Sequence, residues 1–202
     1  MTDTSKPDFY QLNADRLAKN YESYPCPFLE HFRNFLIPKS LVADLGCGSG
    51  RDAQVLLDLG FEVRAYDSSP RMLELATALH PNVAFEYAEL PFLKEIADQT
   101  FDNVLCSGVL NSIPKNSLAT CINNIARITK LDGCILMSFK NNKISTDQGF
   151  VSTVELDHLL DSIEAAECDT NHIYRTTDSQ RPQVSWTTVA FRKRKFEPNW
   201  LS

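Results

Sequence analysis

The chain has 202 residues, of which 43% are hydrophobic and 23% charged. That balance suits one folded domain with a sizeable core and excludes a disordered or fibrous chain. A formal net charge of −6 argues against a nucleic-acid partner, because such a surface repels polyphosphate at long range. In chain order, Asp8 to Tyr24 is polar with apolar residues at Leu12, Leu17 and Tyr21, and reads as one or two helical turns of a lid. Pro25 and Pro27 interrupt it, and Phe28 to Ile37 reads as a short amphipathic helix ended by Pro38.

An alternation of strands and helices follows. Leu41-Val42-Ala43-Asp44-Leu45 is an apolar run that breaks into glycines, the pattern of a buried strand. Val55, Leu56 and Leu59 share a face of the next helix, and Phe61 to Tyr66 is a second strand. Ser69-Pro70 starts a helix with serine as cap and proline in its first turn. Val83 to Tyr87 and Phe101 to Ser107 are the third and fourth strands. Leu118, Cys121, Ile122, Ile125 and Ile128 form a core-facing stripe of a helix that Asp132-Gly133 is expected to stop. Cys134 to Phe139 is the fifth strand, and Ser152-Thr153-Val154-Glu155 has the form of a capping box before a helix through Ala166. Two closing strands, Asn171 to Thr176 and Val184 to Arg192, lie close together and read as an antiparallel edge hairpin. The expected fold is α/β and Rossmann-like: a seven-stranded, mostly parallel sheet with an antiparallel edge hairpin and helices on both faces.

In such sheets a ligand sits beyond the carboxyl ends of the strands, at the switch point. The glycine-rich loop Gly46-Cys47-Gly48-Ser49-Gly50 falls there, between a strand and a helix. Its backbone N–H groups can approach a ligand closely. A dinucleotide fingerprint would place a third glycine where Arg51 stands, and Asp44 would bring negative charge against a pyrophosphate. A ligand bearing an ammonium and a sulfonium suits the loop better. Asp67, ending the second strand, can accept hydrogen bonds from ribose hydroxyls, since Ser69 already serves as helix cap.

Asp44 to Gly50, then Tyr66-Asp67-Ser68-Ser69-Pro70-Arg71-Met72-Leu73, resemble the first two motifs of class I S-adenosylmethionine-dependent methyltransferases. Phe101 to Leu110 resembles the family's fourth strand, and Leu131-Asp132-Gly133-Cys134 the turn before its fifth. The resemblance implies one S-adenosylmethionine-binding domain over 1–202, with a helical lid over 1–38 and a Rossmann-like core over 39–195. It implies that the backbone from Gly46 through Cys47 and Gly48 to Gly50 cradles the methionine part of the cofactor, with Asp44 beneath its amino group. By the same resemblance Asp67 binds the ribose, Ser68 beside it belongs to the cofactor site, and Met72, Ala88 and Glu89 lie at the adenine. Glu89 stands where an aspartate is usual, and Ser107 ends the fourth strand near the methyl group.

An activated methyl needs alignment and exclusion of water more than a catalytic triad, so no catalytic residue is assigned. Asn111 stands where many members carry His or Tyr, and can orient a substrate without acting as a base. Lys140 could bind an anionic acceptor or be a solvated loop lysine; Tyr10 and Tyr24 could close over the site. The leading expectation is a small-molecule methyl acceptor. The alternatives are a tRNA-modifying methyltransferase, which needs a basic groove, and a non-catalytic S-adenosylmethionine-binding protein; a dehydrogenase is a poorer reading. The basic run Arg192-Lys193-Arg194-Lys195 reads as a solvated strand end. The cysteines form no CxxC pair, and His31, His80, His158 and His172 are scattered, so no metal site is expected and the thiols should be reduced. A polar start and the absence of any long apolar run predict a cytoplasmic protein without a membrane span.

Overall fold

The computed structural model describes residues 5–141, 153–178 and 181–195. Its elements are α1 (Ser5–Glu22), α2 (Leu29–Phe35), β1 (Leu41–Leu45), α3 (Arg51–Asp58), β2 (Glu62–Asp67), α4 (Pro70–Leu79), β3 (Ala84–Tyr87), β4 (Phe101–Ser107), α5 (Leu118–Ile128), β5 (Thr129–Lys140), α6 (Leu156–Ala165), β6 (Cys168–Thr177) and β7 (Ser185–Lys193). The seven strands form one sheet in the order β3-β2-β1-β4-β5-β7-β6. β1 to β5 pair in parallel, while β7 pairs antiparallel with both β5 and β6. The expected sheet, with its antiparallel edge hairpin, is therefore what the chain builds.

Alternation along each strand divides the core between two faces. Ala43, Leu45, Val104, Cys106, Ile135 and Met137 meet the buried stripes of α5 and α6. Val42, Val63, Ala65, Leu105 and Leu136 meet Phe28, Phe32 and Leu36 around α2, with Ala53 and Leu56 of α3. The α5 stripe lies where its spacing put it: Leu118, Cys121, Ile122, Ile125 and Ile128 are all buried. Each such large side chain contributes about 1.5–3 kcal/mol relative to exposure. Ser69 caps α4 as expected, its Oγ accepting from the Met72 N–H at 3.2 Å, with Pro70 in the first turn.

Two local expectations fail, each for a physical reason. The polar N-terminal segment is not one or two turns but an 18-residue helix. It is held by packing of Ala14 and Ala18 against Met72 of α4, a contact between small residues that leaves no strong apolar stripe. Asp132-Gly133 does not stop α5. The helix ends at Ile128 and the chain runs straight into β5, with the Thr129 Oγ1 donating back to the Ile125 carbonyl at 2.7 Å. Asp132, at φ 62°, and Gly133 instead fall within β5, where the pairing with β4 shifts register. A Cβ on Gly133 would lie 2.8 Å from the Lys130 carbonyl oxygen and 2.9 Å from that of Asp102. The glycine is there for close backbone approach, not for helix termination. α6 begins at Leu156 after Glu155, which makes no side-chain cap; Ser152 of the expected capping box lies outside the described residues.

The chain runs outward from β1 to β2 and β3, then returns to place β4 on the other side of β1. The carboxyl ends of β1 and β4 thus flank the switch point, where the loops diverge and leave a crevice.

Candidate active site

A cleft of about 1300 Å³ opens at that crevice. Pockets for one small ligand commonly span roughly 300–1,000 Å³, so this one lies above that range. Its floor is the turn after β1. The Gly46 and Cys47 N–H groups both donate to the Tyr66 carbonyl oxygen, at 2.7 and 2.9 Å, which ties the loop to the end of β2. Gly46, Gly48 and Gly50 hold φ of 67°, 56° and 86°. A Cβ on Gly46 would collide with the Val109 side chain, so sequence and shape agree on glycine there.

Asp44 lies under this loop at 2% exposure, and its Oδ2 has no hydrogen-bond partner among the described residues. Burial, then the nearby Asp52 and Asp67, holds its carboxyl well above the usual carboxylate range. A buried, unpaired acid is costly unless something cationic joins it. Asp67 ends β2 and is also raised by burial, although hydrogen bonds oppose the shift. Its Oδ2 accepts from the Gly48 N–H at 3.0 Å and its Oδ1 from the Ser69 N–H at 2.9 Å. Each oxygen keeps a further lone pair.

Of the other expected residues, Cys47 and Ser68, Met72 from α4, Ala88 and Glu89 after β3, and Ser107 at the end of β4 line the same cleft, whereas Gly50, whose Cβ would meet Phe85 and His80, is not part of its lining. Met72 is 1% exposed and shared between the cleft wall and the packing beneath α1. Asn111 departs from its expected part. Its Nδ2 donates to the Lys140 carbonyl at 3.1 Å and its Oδ1 accepts from the Lys140 N–H at 2.8 Å, so it braces the end of β5 from a buried position rather than facing the cleft.

The helix α1 covers the cleft. Tyr10 Oη shares a hydrogen bond with Ser112 Oγ at 2.9 Å, and Gln11 Oε1 accepts from the Ser69 hydroxyl and the Arg71 N–H, both at 3.0 Å. Glu22 Oε1 accepts from the Ser49 hydroxyl at 2.6 Å and lies 3.2 Å from His80 Nε2. Arg51 donates to the Tyr21 carbonyl and pairs with Asp52 at 2.7 Å. The Tyr21 phenol, pushed up to about 12 by burial, packs over Gly48. Tyr24 also lines the cleft.

Sequence reading missed Asp52, Asp178, Arg181 and Trp186, which only the fold brings to this cavity, and Glu22, which ties α1 to Ser49 and His80. The basic run is a solvated strand end, as expected, with Arg194 and Lys195 exposed, although three of its side chains also have protein partners. Arg192 and Lys193 donate to the Asp132 and Thr129 carbonyl oxygens, and Arg194 pairs with Asp169 at 2.8 Å. His31 and His172 meet Phe35 and Tyr174 in an aromatic cluster away from any acid cage. Among the described residues no His/Cys/Asp/Glu group could hold a metal, and no helix is long and apolar enough to cross a membrane. All six cysteines are free.

Comparison with known proteins places this geometry. A methyltransferase domain family model matches residues 42–133. A demethylmenaquinone methyltransferase from Renibacterium salmoninarum is 31% identical over 50% of this chain and 42% of its own. A ubiquinone biosynthesis O-methyltransferase from Rickettsia akari is 26% identical over 65% of this chain and 51% of its own. The matched stretch thus spans about half the length of these curated relatives. The crystal structure of a SAM-dependent methyltransferase from Methanosarcina mazei superposes with a TM-score of 0.71 at 15% identity, over 86% of this chain and all (100%) of that one.

Proposed function

We propose, from its similarity to a methyltransferase domain family and the fold it shares with such enzymes, that this chain is a class I S-adenosylmethionine-dependent methyltransferase and transfers a methyl group from S-adenosylmethionine to a small-molecule acceptor. The observation that carries the reading is the unpartnered oxygen of Asp44 under a glycine turn. A buried carboxylate with a vacant acceptor position suits a ligand that brings an ammonium group. In this reading Asp44 holds that ammonium, and the backbone from Gly46 through Cys47 and Gly48 to Gly50 holds the amino-acid part. The spare lone pairs of Asp67, with Ser68, hold the ribose; Met72, Ala88 and Glu89 border the adenine. Ser107 stands toward the acceptor.

When bound, S-adenosylmethionine supplies a methyl already activated by its sulfonium. What remains for the protein is alignment and a dry site, each of which accelerates a displacement without a triad. Tyr10, Tyr21 and Tyr24 contribute apolar cover at the lid side, and the Tyr10–Ser112 hydrogen bond keeps α1 over the cleft. No described side chain stands out as a general base, so the reading favours an acceptor atom that is nucleophilic near neutral pH.

A small acceptor is favoured over RNA. The acids Asp44, Asp52 and Asp67 line the cleft, and Arg192, Lys193 and Arg194 of the C-terminal basic run are outside its lining, paired with backbone carbonyls and Asp169. The quinone-pathway names of the relatives point the same way. The test is transfer of label from methyl-labelled S-adenosylmethionine in a cell extract. Label should appear in the low-molecular-mass fraction and be lost with Asp67→Ala. Label entering RNA or protein instead, or no transfer by folded protein, would contradict the reading.

A further inference from the structure

The acids and cations of the cleft are not mixed but sorted along the sheet. Asp67, Asp44 and Asp52 stand at the ends of β2 and β1 and the start of α3. On the far side of β4, the end of β5 and the hairpin bring Lys140, Asp178, Arg181 and Trp186 into the same cavity wall. Within that corner the charges are unequal. Arg181 is pinned to Asp178 at 2.6 Å, and the Trp186 indole N–H donates to the same carboxylate at 3.3 Å. Lys140 has no carboxylate within ion-pair distance among the described residues; its Nζ lies 5.3 Å from the centre of the Trp186 ring. Its backbone is fixed in both directions by Asn111, so the ammonium is carried on an anchored stem. Burial and the neighbouring Arg181 hold the Lys140 ammonium below its usual range, against a partial opposing pull from Asp178. A half-buried ammonium facing a cavity, with no counter-ion among the described residues, favours an anion there. The lining of the same cavity also includes the apolar side chains of Tyr24, Phe28, Val109 and Ile113.

We propose that the Lys140–Trp186 corner is the acceptor subsite and selects a small organic acid, with Lys140 pairing the carboxylate and the apolar wall holding a ring-sized body. The inference rests on the methyltransferase reading, since it takes the opposite end of the cleft for the cofactor. It adds a charge rule: cationic ligand on the β1–β2 side, anionic ligand on the β5–β7 side. Asp178 sets the limit of the rule, because among the described residues it pairs with Arg181 and leaves Lys140 for one carboxylate.

The experiment uses the full chain loaded with S-adenosylhomocysteine, and titrates three matched pairs of probes by calorimetry: benzoate, 4-hydroxybenzoate and 3-phenylpropanoate, each against its neutral amide. At least one acid should bind about tenfold or more tighter than its amide, as expected for a charge-assisted hydrogen bond. Lys140→Met, which keeps the stem and the backbone bonds to Asn111, should erase that preference, and Lys140→Arg should retain most of it. Affinity for S-adenosylhomocysteine serves as the separate readout. If S-adenosylhomocysteine itself fails to bind, the methyltransferase reading fails and this subsite falls with it. If it binds but no acid is preferred to its amide, or the preference survives in Lys140→Met, the acceptor subsite alone is overturned.

Discussion

Asp44 sets binding against stability within one side chain. Its carboxyl is buried with one oxygen unpartnered, and burial with Asp52 and Asp67 raises its pKa in the fold above the unfolded value. The sign follows from linkage. The folded state then binds the proton more tightly, so the ligand-free protein loses stability as pH rises from about 4 through the raised value. Asp44→Asn, which keeps the shape and removes the charge, should therefore raise the melting temperature of the ligand-free protein near neutral pH. A gain of about 0.5–2 kcal/mol is typical where a site has been kept for function rather than stability. The same variant should bind S-adenosylmethionine more weakly. Scanning calorimetry between pH 5 and 8 checks this, and a variant that is less stable than the parent at neutral pH would show that the carboxylate is satisfied in some other way. Asp44, Asp67 and the glycines were legible in the sequence, because a strand, a tight turn and an acid fall within a few residues of one another. Lys140 was legible as a residue but not as a charge facing a cavity, since that depends on Trp186 and Asp178 arriving from the hairpin.

At the scale of elements, the strands read most clearly. β1 and β4 have the bounds their apolar runs gave, Leu41–Leu45 and Phe101–Ser107, because buried parallel strands announce themselves as short continuous hydrophobic stretches. What a single-residue pattern cannot carry is a helix that packs by smallness. Ala14 and Ala18 are fully or nearly buried, yet neither lifts α1 above its polar background. The Asp132-Gly133 pair was misread for a related reason. An Asp-Gly step marks a positive-φ turn and a close approach, and only the neighbouring strand decides whether the turn ends a helix or bends a strand. Gly133→Ala tests that account. Its Cβ would press on two backbone carbonyls, which yield less than a side chain, so a loss of about 1–3 kcal/mol is expected in urea unfolding with an unchanged slope. A neutral substitution would mean that the β4–β5 junction relaxes freely.

Across the whole molecule, the sheet order puts the functional reading in place. β3-β2-β1-β4-β5-β7-β6 lays the acid-bearing strand ends beside one another and sets the Lys140 corner one strand beyond β4. The alternating α/β pattern was enough to foresee that sheet and its crevice. It was not enough to foresee how α1 closes over it, because the closing contacts, Tyr10 to Ser112, Gln11 to Ser69 and Glu22 to Ser49, link polar side chains far apart in the chain. Fold alone leaves the chemistry open, so the account stands on the ligand that the acidic half of the cleft takes. Calorimetric titration with S-adenosylmethionine, for the parent and for Asp67→Ala, tests this most directly. The account predicts saturable one-to-one binding, weakened by about 1–3 kcal/mol on loss of the hydrogen bonds to the Asp67 carboxylate. A folded parent that gives no binding, or an Asp67→Ala variant that binds as tightly as the parent, would contradict it.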